Sequence, residues 1–313
     1  MTLAIVFPGQ GSQTVGMGKD LFDAFPVARK VFAEVDEALG QSLSRIMFDG
    51  PDNELMLTEN AQPALLTCSM ATLRVIESEG EKLITSNKVD YVAGHSLGEY
   101  SALCAAGAFS LTDAVKLVRT RGRAMQNAVP IGEGAMIAIL GIEPAEASVI
   151  AAEAACSDVC NFANDNAPGQ VVLSGSIEAI KRAEVISKVK GAKRSIILPV
   201  SAPFHSSLML PAANVMRLAL DDCRMNNPVV PLISNITAKS ISESGEIKRL
   251  LVEQVCGRIR WRESVLNMIQ NGVDSIVELG NGKTLSGMIR RIDKTITTKS
   301  IGSPNEVGNF LEN

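Results

Sequence analysis

The stretch Val89-Asp90-Tyr91-Val92-Ala93-Gly94-His95-Ser96-Leu97-Gly98-Glu99 decides the fold. Residues 89–93 form a short apolar run that predicts a buried strand. Gly94-His95-Ser96-Leu97-Gly98 follows without a spacer and matches G-x-S-x-G, and the small-residue run over 99–107 predicts a helix behind it. A strand that turns abruptly into a helix needs glycine on both sides, because Cβ atoms there would crowd the turn. The turn exposes the serine hydroxyl, and the helix N-terminus aims backbone N–H groups at an oxyanion developing beside it. The pentapeptide alone is a weak signal. The strand before it and the helix after it make Ser96 a candidate nucleophile.

Working outward, Leu3–Phe7 is a second apolar strand, followed by the loop Pro8-Gly9-Gln10-Gly11-Ser12-Gln13. Helices are predicted over Pro26–Leu39, over 62–79 with Pro63 in the first turn, and over 112–127. Strand candidates at 229–234 and 275–278 follow later. This alternation predicts an α/β fold, a core with a largely parallel sheet. The section 133–200 has its own order: strand 135–141, helix Pro144–Ala155, strand 159–163, turn 164–169, strand 170–174, helix 177–188, strand 194–200. That is the βαββαβ order of a ferredoxin-like unit. The expected organisation is a large α/β domain of residues 1–132 and 201–313, with 133–200 inserted as a small ferredoxin-like domain.

Composition narrows the function classes. The chain has 313 residues, 46% hydrophobic and 20% charged, which is not a disordered composition. With 30 basic against 34 acidic residues and 4% aromatics, neutralising phosphates or stacking bases is disfavoured, so no nucleic-acid partner is expected. Apolar runs fall far short of the ~20 residues that span a bilayer, and the start lacks the basic region of a signal peptide. Six cysteines without a CxxC pair, and only two histidines, argue against zinc and for reduced thiols. The expectation is a cytoplasmic protein that binds neither metal nor membrane.

A serine at its ordinary pKa needs a base, and only His95 and His205 exist. Neighbours on such a turn point in different directions, so His205 is the better candidate. It lies in Ser201-Ala202-Pro203-Phe204-His205-Ser206, a loop after a strand. The loop 8–13 is not G-x-G-x-x-G, because Thr14 holds the last position, and it is not a Walker loop. Its glycines either let the backbone approach an acyl group or simply make a turn. Arg121 sits in Arg119-Thr120-Arg121-Gly122-Arg123. A guanidinium grips a carboxylate with two parallel hydrogen bonds, but spacing does not single out Arg121 from its neighbours.

The segments Phe7–Gln13, Gly94–Glu99 and Pro203–Ser206 together resemble the malonyl-CoA:acyl carrier protein transacylase family. Thr58-Glu59-Asn60-Ala61-Gln62-Pro63-Ala64, Arg121-Gly122 with Met125-Gln126, residues 164–170 and Val277-Glu278-Leu279-Gly280 extend the resemblance over nearly the whole chain. It implies a hydrolase-like α/β core with a ferredoxin-like insertion. It also implies ping-pong transfer of malonyl from malonyl-CoA to the phosphopantetheine thiol of acyl carrier protein, supplying fatty acid synthesis. Ser96 would carry the malonyl group and His205 would be its base. The N–H groups of Gln10 and Leu97 would form the oxyanion hole, and Arg121 would clamp the free carboxylate. Gln254 would orient His205 through its carbonyl, and Asn166 would lie near the site. No cofactor is implied, since the CoA thioester is a substrate, and a monomer is expected.

Two other readings share the serine turn. A patatin-like hydrolase would want a distant Asp-Gly-Gly or Asp-Gly-Ala, whereas the only Asp-Gly is Asp49-Gly50, before the serine. A non-enzymatic carrier scaffold would not need Ser96, His205 and Arg121 intact. Two basic clusters suggest a docking face for an acidic carrier: Lys188, Lys190, Lys193 and Arg194, and Arg258, Arg260 and Arg262 with Lys283, Arg290 and Arg291. The default for such runs is a solvated face.

Overall fold

The structure is a computed structural model and describes residues 2–312. Its strands are β1 (Leu3–Phe7), β2 (Tyr91–Gly94), β3 (Gly134–Leu140), β4 (Cys160–Ala167), β5 (Gln170–Ser176), β6 (Arg194–Ile197), β7 (Leu232–Ile233), β8 (Ser240–Ile241), β9 (Ser275–Leu279) and β10 (Thr297–Ile301). Six of them make one sheet in the order β10-β9-β1-β2-β7-β8, and four make another in the order β4-β5-β3-β6. In the larger sheet every pairing is parallel except β7 with β8. The α/β class with a largely parallel sheet is therefore what the chain adopts.

β1 shows why the larger sheet forms. Its side chains alternate between faces, and both faces are covered. Ile5 and Phe7 join the main core. Ala4 and Val6 face a second cluster built with Trp261, Val265 and Ile289. The helix Thr58–Glu79 crosses the main core with seventeen of its 22 residues buried. A helix buried on nearly every side must satisfy its polar groups internally, and two of its buried hydroxyls turn back onto its own carbonyls, Thr67 to Pro63 at 2.7 Å and Thr72 to Cys68 at 2.9 Å. This helix begins at Thr58, not at residue 62, so Pro63 lies inside it and not in its first turn. Proline has no N–H, so the Glu59 carbonyl loses its intrahelical donor there.

The smaller sheet is antiparallel throughout. In chain order its strands lie second, third, first, fourth, with helices Pro144–Ala155 and Ile177–Val189 against it, which is the ferredoxin-like arrangement. The turn expected at 164–169 is a correction: Asn164–Ala167 continue β4, and only 168–169 turn. Polar Asn164-Asp165-Asn166 reads as loop, but β4 carries register shifts on both sides of Asn164-Asp165. Such bulges re-aim side chains, and here polar side chains of this stretch find partners outside the sheet. The strand expected at 194–200 ends at Ile197, and that expected at 229–234 shrinks to Leu232–Ile233 behind Pro231. Edge strands β8 and β10 carry no strong apolar pattern and were not foreseen.

Candidate active site

β1, β2 and β7 run parallel, so the loops that follow them open at the same edge of the sheet, where such folds place their ligands. The turn after β2 is as tight as its sequence demands. A Cβ on Gly94 would lie 2.0 Å from the Gly98 carbonyl, and one on Gly98 would lie 2.2 Å from Phe7 O. Between them Ser96 adopts φ 54°, and His205 adopts φ 58° on its own loop. A non-glycine residue in that region costs about 1–3 kcal/mol and persists only where its surroundings hold it.

Ser96 Oγ lies 2.8 Å from His205 Nε2, and His205 Nδ1 lies 2.8 Å from the backbone carbonyl of Gln254. A carbonyl only accepts, so Nδ1 carries the hydrogen and Nε2 is left to receive the serine proton. Burial and the nearby Arg121 push the His205 pKa down to about 3, so the ring is neutral near pH 7. His95 points elsewhere, its Nε2 2.9 Å from Asn166 Oδ1 and 3.4 Å from Asn164 Nδ2. Asn166 thus reaches the site through His95 and not through the serine.

Arg121 is buried on the helix Leu111–Asn127, with only 1% of its surface exposed. Its Nη1 donates to Gln62 Oε1 at 2.8 Å, and its Nη2 to Gln254 Oε1 and Ser96 Oγ, both at 3.0 Å. Its Nε has no hydrogen-bond partner among the described residues, and no carboxylate there forms an ion pair with it. Burial lowers its pKa. A desolvated cation held by neutral amides is costly, and an incoming carboxylate would relieve it. Gln62 Nε2 donates to Thr58 Oγ1, which donates to Gln10 Oε1, both at 3.0 Å, so one chain of hydrogen bonds joins Arg121 to the loop after β1. Gln10 and Leu97 line the same cavity, and among the described residues neither backbone N–H donates to a protein acceptor.

Behind the serine lies a buried polar layer. Gln254 Nε2 donates to Ser96 O at 2.9 Å and to Glu99 Oε2. Glu99 Oε1 accepts from Asn235 N at 3.3 Å. Burial raises the Glu99 pKa to about 8. The structure therefore brings Ser96, His205, Arg121 and Gln254 into contact, sets Gln10 and Leu97 in the cavity wall, and places Asn166 behind His95. Sequence reasoning missed the parts of Gln62, Glu99 and Asn235. Gln62 lies in the quoted segment 58–64 and Glu99 closes the serine motif, whereas Asn235, after a two-residue strand, gave no signal.

The basic clusters differ from expectation. Lys190 pairs with Glu146 and Glu153, and Lys188 with Glu184. Arg258 and Arg260 share Glu263, Arg262 meets Glu143 and Asp165, and Lys283 meets Glu306. Much of the apparent positive charge is matched locally. Among the described residues no helix is long and apolar enough to cross a membrane.

A serine, a neutral histidine and a buried guanidinium thus line one cavity, an arrangement able to carry out acyl transfer. Residues 4–249 match the family model described as acyl transferase domain. The chain is 46% identical to the malonyl CoA-acyl carrier protein transacylase of Bacillus subtilis (strain 168), over 97% of this chain and 95% of that one. It superimposes with TM-score 0.97 on the acyl-carrier-protein-S-malonyltransferase from Bartonella henselae, at 51% identity, covering 100% of this chain and 99% of that one. It also superimposes, with TM-score 0.96 and 39% identity, on a malonyl-transacylase solved in complex with its type II PKS acyl-carrier protein, covering 100% and 99% of the two chains. The chain belongs to the acyl transferase family, among the malonyl CoA-acyl carrier protein transacylases.

Proposed function

We propose that this protein transfers the malonyl group of malonyl-CoA to the phosphopantetheine thiol of an acyl carrier protein through a malonyl ester on Ser96, supplying extender units for fatty acid synthesis. The observation that carries this reading is the position of Ser96 Oγ, 2.8 Å from a neutral His205 and 3.0 Å from a buried Arg121 that has no carboxylate partner. His205 Nε2 takes the serine proton as Oγ attacks the thioester carbonyl. The Gln10 and Leu97 N–H groups hold the oxyanion, where loss of one donor costs about 10²–10³ in rate. CoA then leaves as a thiol with the proton that His205 returns. In the second half His205 takes the carrier thiol's proton, the sulfur attacks the ester carbonyl, and the bond to Ser96 Oγ breaks as His205 returns the proton to it.

Arg121 receives the free malonyl carboxylate, with Gln62 and Gln254 fixing the plane of its guanidinium. The Gln254 backbone carbonyl keeps His205 in the required tautomer, and Asn166 steadies His95 beside the serine. The reading needs no cofactor, because CoA enters and leaves as part of a substrate. We assign residues 133–200 to a separate inserted domain within 1–132 and 201–313, and a cytoplasmic, monomeric working state.

The test is a brief exposure to malonyl-CoA followed by peptide mass spectrometry. A malonyl adduct is expected on the Ser96 peptide, absent in Ser96→Ala and discharged onto added carrier protein. An adduct on a cysteine would overturn the assignment of Ser96, and free malonate with no labelled carrier would make the protein a hydrolase.

A further inference from the structure

Where β2 ends, its ladder with β7 should end too. The last rung pairs Ala93 with Ile233, and among the described residues no backbone group of Ser234 or Asn235 bonds Gly94 or Ser96. Gly94 and Ser96 would then present an unpaired carbonyl and an unpaired N–H on the way into the helix. The side chain of Asn235, which is fully buried, takes both. Its Nδ2 donates to Gly94 O at 2.7 Å, and its Oδ1 accepts from Ser96 N at 2.8 Å. A primary amide offers a donor and an acceptor side by side, as a strand backbone does, so the side chain supplies the next rung after the backbone ladder has ended.

Asn235 is itself held on three sides. Its backbone N–H donates to Glu99 Oε1 at 3.3 Å, its carbonyl accepts from Arg260 N at 3.0 Å, and Gln254 Nε2 lies 3.4 Å from its Oδ1. These contacts leave one orientation of the amide, since Gly94 O only accepts and Ser96 N only donates. Ser96 is the residue with φ 54°. A strained residue stays strained only if its surroundings over-determine it, and the peptide after it carries the N–H of Leu97, a cavity-lining residue whose N–H has no protein acceptor among the described residues.

We propose that Asn235 is a positioning residue that clamps the two peptide groups flanking His95, and so holds Ser96 Oγ and the Leu97 N–H in register for attack. The proposal rests on the reading that Ser96 is the acylated residue. Asn235 does not itself line the cavity or touch Arg121, and its one link toward the clamp is the 3.4 Å contact with Gln254 Nε2, so its loss acts chiefly on the acylation step. Displacing a reacting group by about 1 Å can cost 10²-fold.

The experiment measures single-turnover malonylation of full-length protein by malonyl-CoA, per titrated active site, for the unmutated chain, Asn235→Leu and Asn235→Asp. Asn235→Leu removes both hydrogen bonds and is expected to lower the maximal acylation rate by about 10²-fold with an unchanged half-saturating malonyl-CoA concentration. Asn235→Asp keeps the acceptor for Ser96 N–H, loses the donor to Gly94 O, and is expected to fall between. A variant whose rate per active site equals that of the unmutated protein, with only fewer active sites or a lower melting temperature, would overturn the proposal, because that is a structural role alone. An equal loss in rate and in affinity would overturn it as well. If Asn235→Leu does not fold, Asn235→Asp decides on the same two criteria. Failure of the unmutated protein to acylate Ser96 would instead overturn the functional reading, which separates the two.

Discussion

In the parallel sheet, the turn that carries Ser96 is packed backbone against backbone and pinned by the Asn235 amide. Gly94, Gly98 and Gly9 have no room for a side chain, because Gly98, Phe7 and His95 backbone atoms already occupy it. In the antiparallel sheet, the contribution to the same cavity consists of side chains: Met136 from β3, Asn164 from β4, and Leu198 just beyond β6. Ser96 and His205 sit in strained backbone on the first side, whereas the second side contributes residues with ordinary backbone. Changes on the parallel side should act on the chemical step and the clamp, and changes on the antiparallel side should act weakly and mostly on fit.

Loss of Arg121 is expected to have the greatest consequence. Arg121→Ala should lower malonyl transfer to Ser96 by an amount corresponding to about 2–5 kcal/mol, the cost of removing one partner of a buried charged pair. The same variant should gain relative activity toward acetyl-CoA, since an unpaired buried guanidinium beside an uncharged acyl chain is no longer present. Asn166→Ala, on β4, removes one hydrogen bond to His95 and should cost only about 0.5–1.5 kcal/mol. Parallel measurement of malonyl and acetyl self-acylation checks both. An unchanged malonyl-to-acetyl ratio in Arg121→Ala would remove Arg121 as the clamp, and an Asn166→Ala loss as large as that of Arg121→Ala would break the contrast between the sheets.

A middle-sized effect concerns pH, and again lies on the parallel side. His205 titrates near 3 in the folded chain against an ordinary value of 6.5, so the unfolded chain binds its proton first. Its contribution to stability is therefore lost as pH falls from about 6.5 toward about 3. Glu99 has the opposite sign. Its folded pKa of about 8 stands above the ordinary 4.5, so the folded chain holds the proton and stability is lost as pH rises from 4.5 through about 8. Denaturant midpoints measured across pH 3–9 should show His205→Asn flattening the acid limb and Glu99→Gln flattening the alkaline one. A Glu99→Gln variant with an unaltered alkaline limb would show that the buried carboxyl does not couple to folding.

Much of this was legible in the sequence, and what was not has physical reasons. Leu3–Phe7 and Pro144–Ala155 carry clear apolar periodicity and turn signals, and the structure places them at those bounds. The serine turn was legible because glycine is obligatory there. Asn164–Ala167 was misread because a bulged strand can carry consecutive polar residues when each finds a partner off the sheet, as Asp165 does with Arg262 at 3.2 Å. Asn235 was invisible because its role depends on a ladder ending, and a two-residue strand leaves no pattern. Arg121 was indistinguishable by spacing from Arg119 and Arg123. What separates them is position: the helix packs so closely at Gly122 that a Cβ there would lie 2.6 Å from Thr58 O, and Arg121 beside it is turned into the cavity.

The smallest effect concerns surface charge on the antiparallel side. An acidic carrier protein would be steered by basic residues whose charge is not already matched. Lys190 is matched twice, by Glu146 at 2.9 Å and Glu153 at 3.1 Å. Lys193 and Arg194 are exposed, and neither has an ion pair among the described residues. Charge reversal acts mainly on encounter rate and fades with salt, because the Debye length is about 8 Å at physiological ionic strength. The double variant Lys193→Glu/Arg194→Glu should therefore slow malonyl transfer to carrier protein, more at low salt than at high. Self-malonylation from malonyl-CoA should change less than transfer to the carrier, since the carrier is absent from that half-reaction. Lys190→Glu should release two carboxylates and add a third in one place, so a loss confined to Lys190→Glu, with Lys193 and Arg194 silent, would mean that the docking field comes from the paired cluster and not from the unmatched residues beside β6.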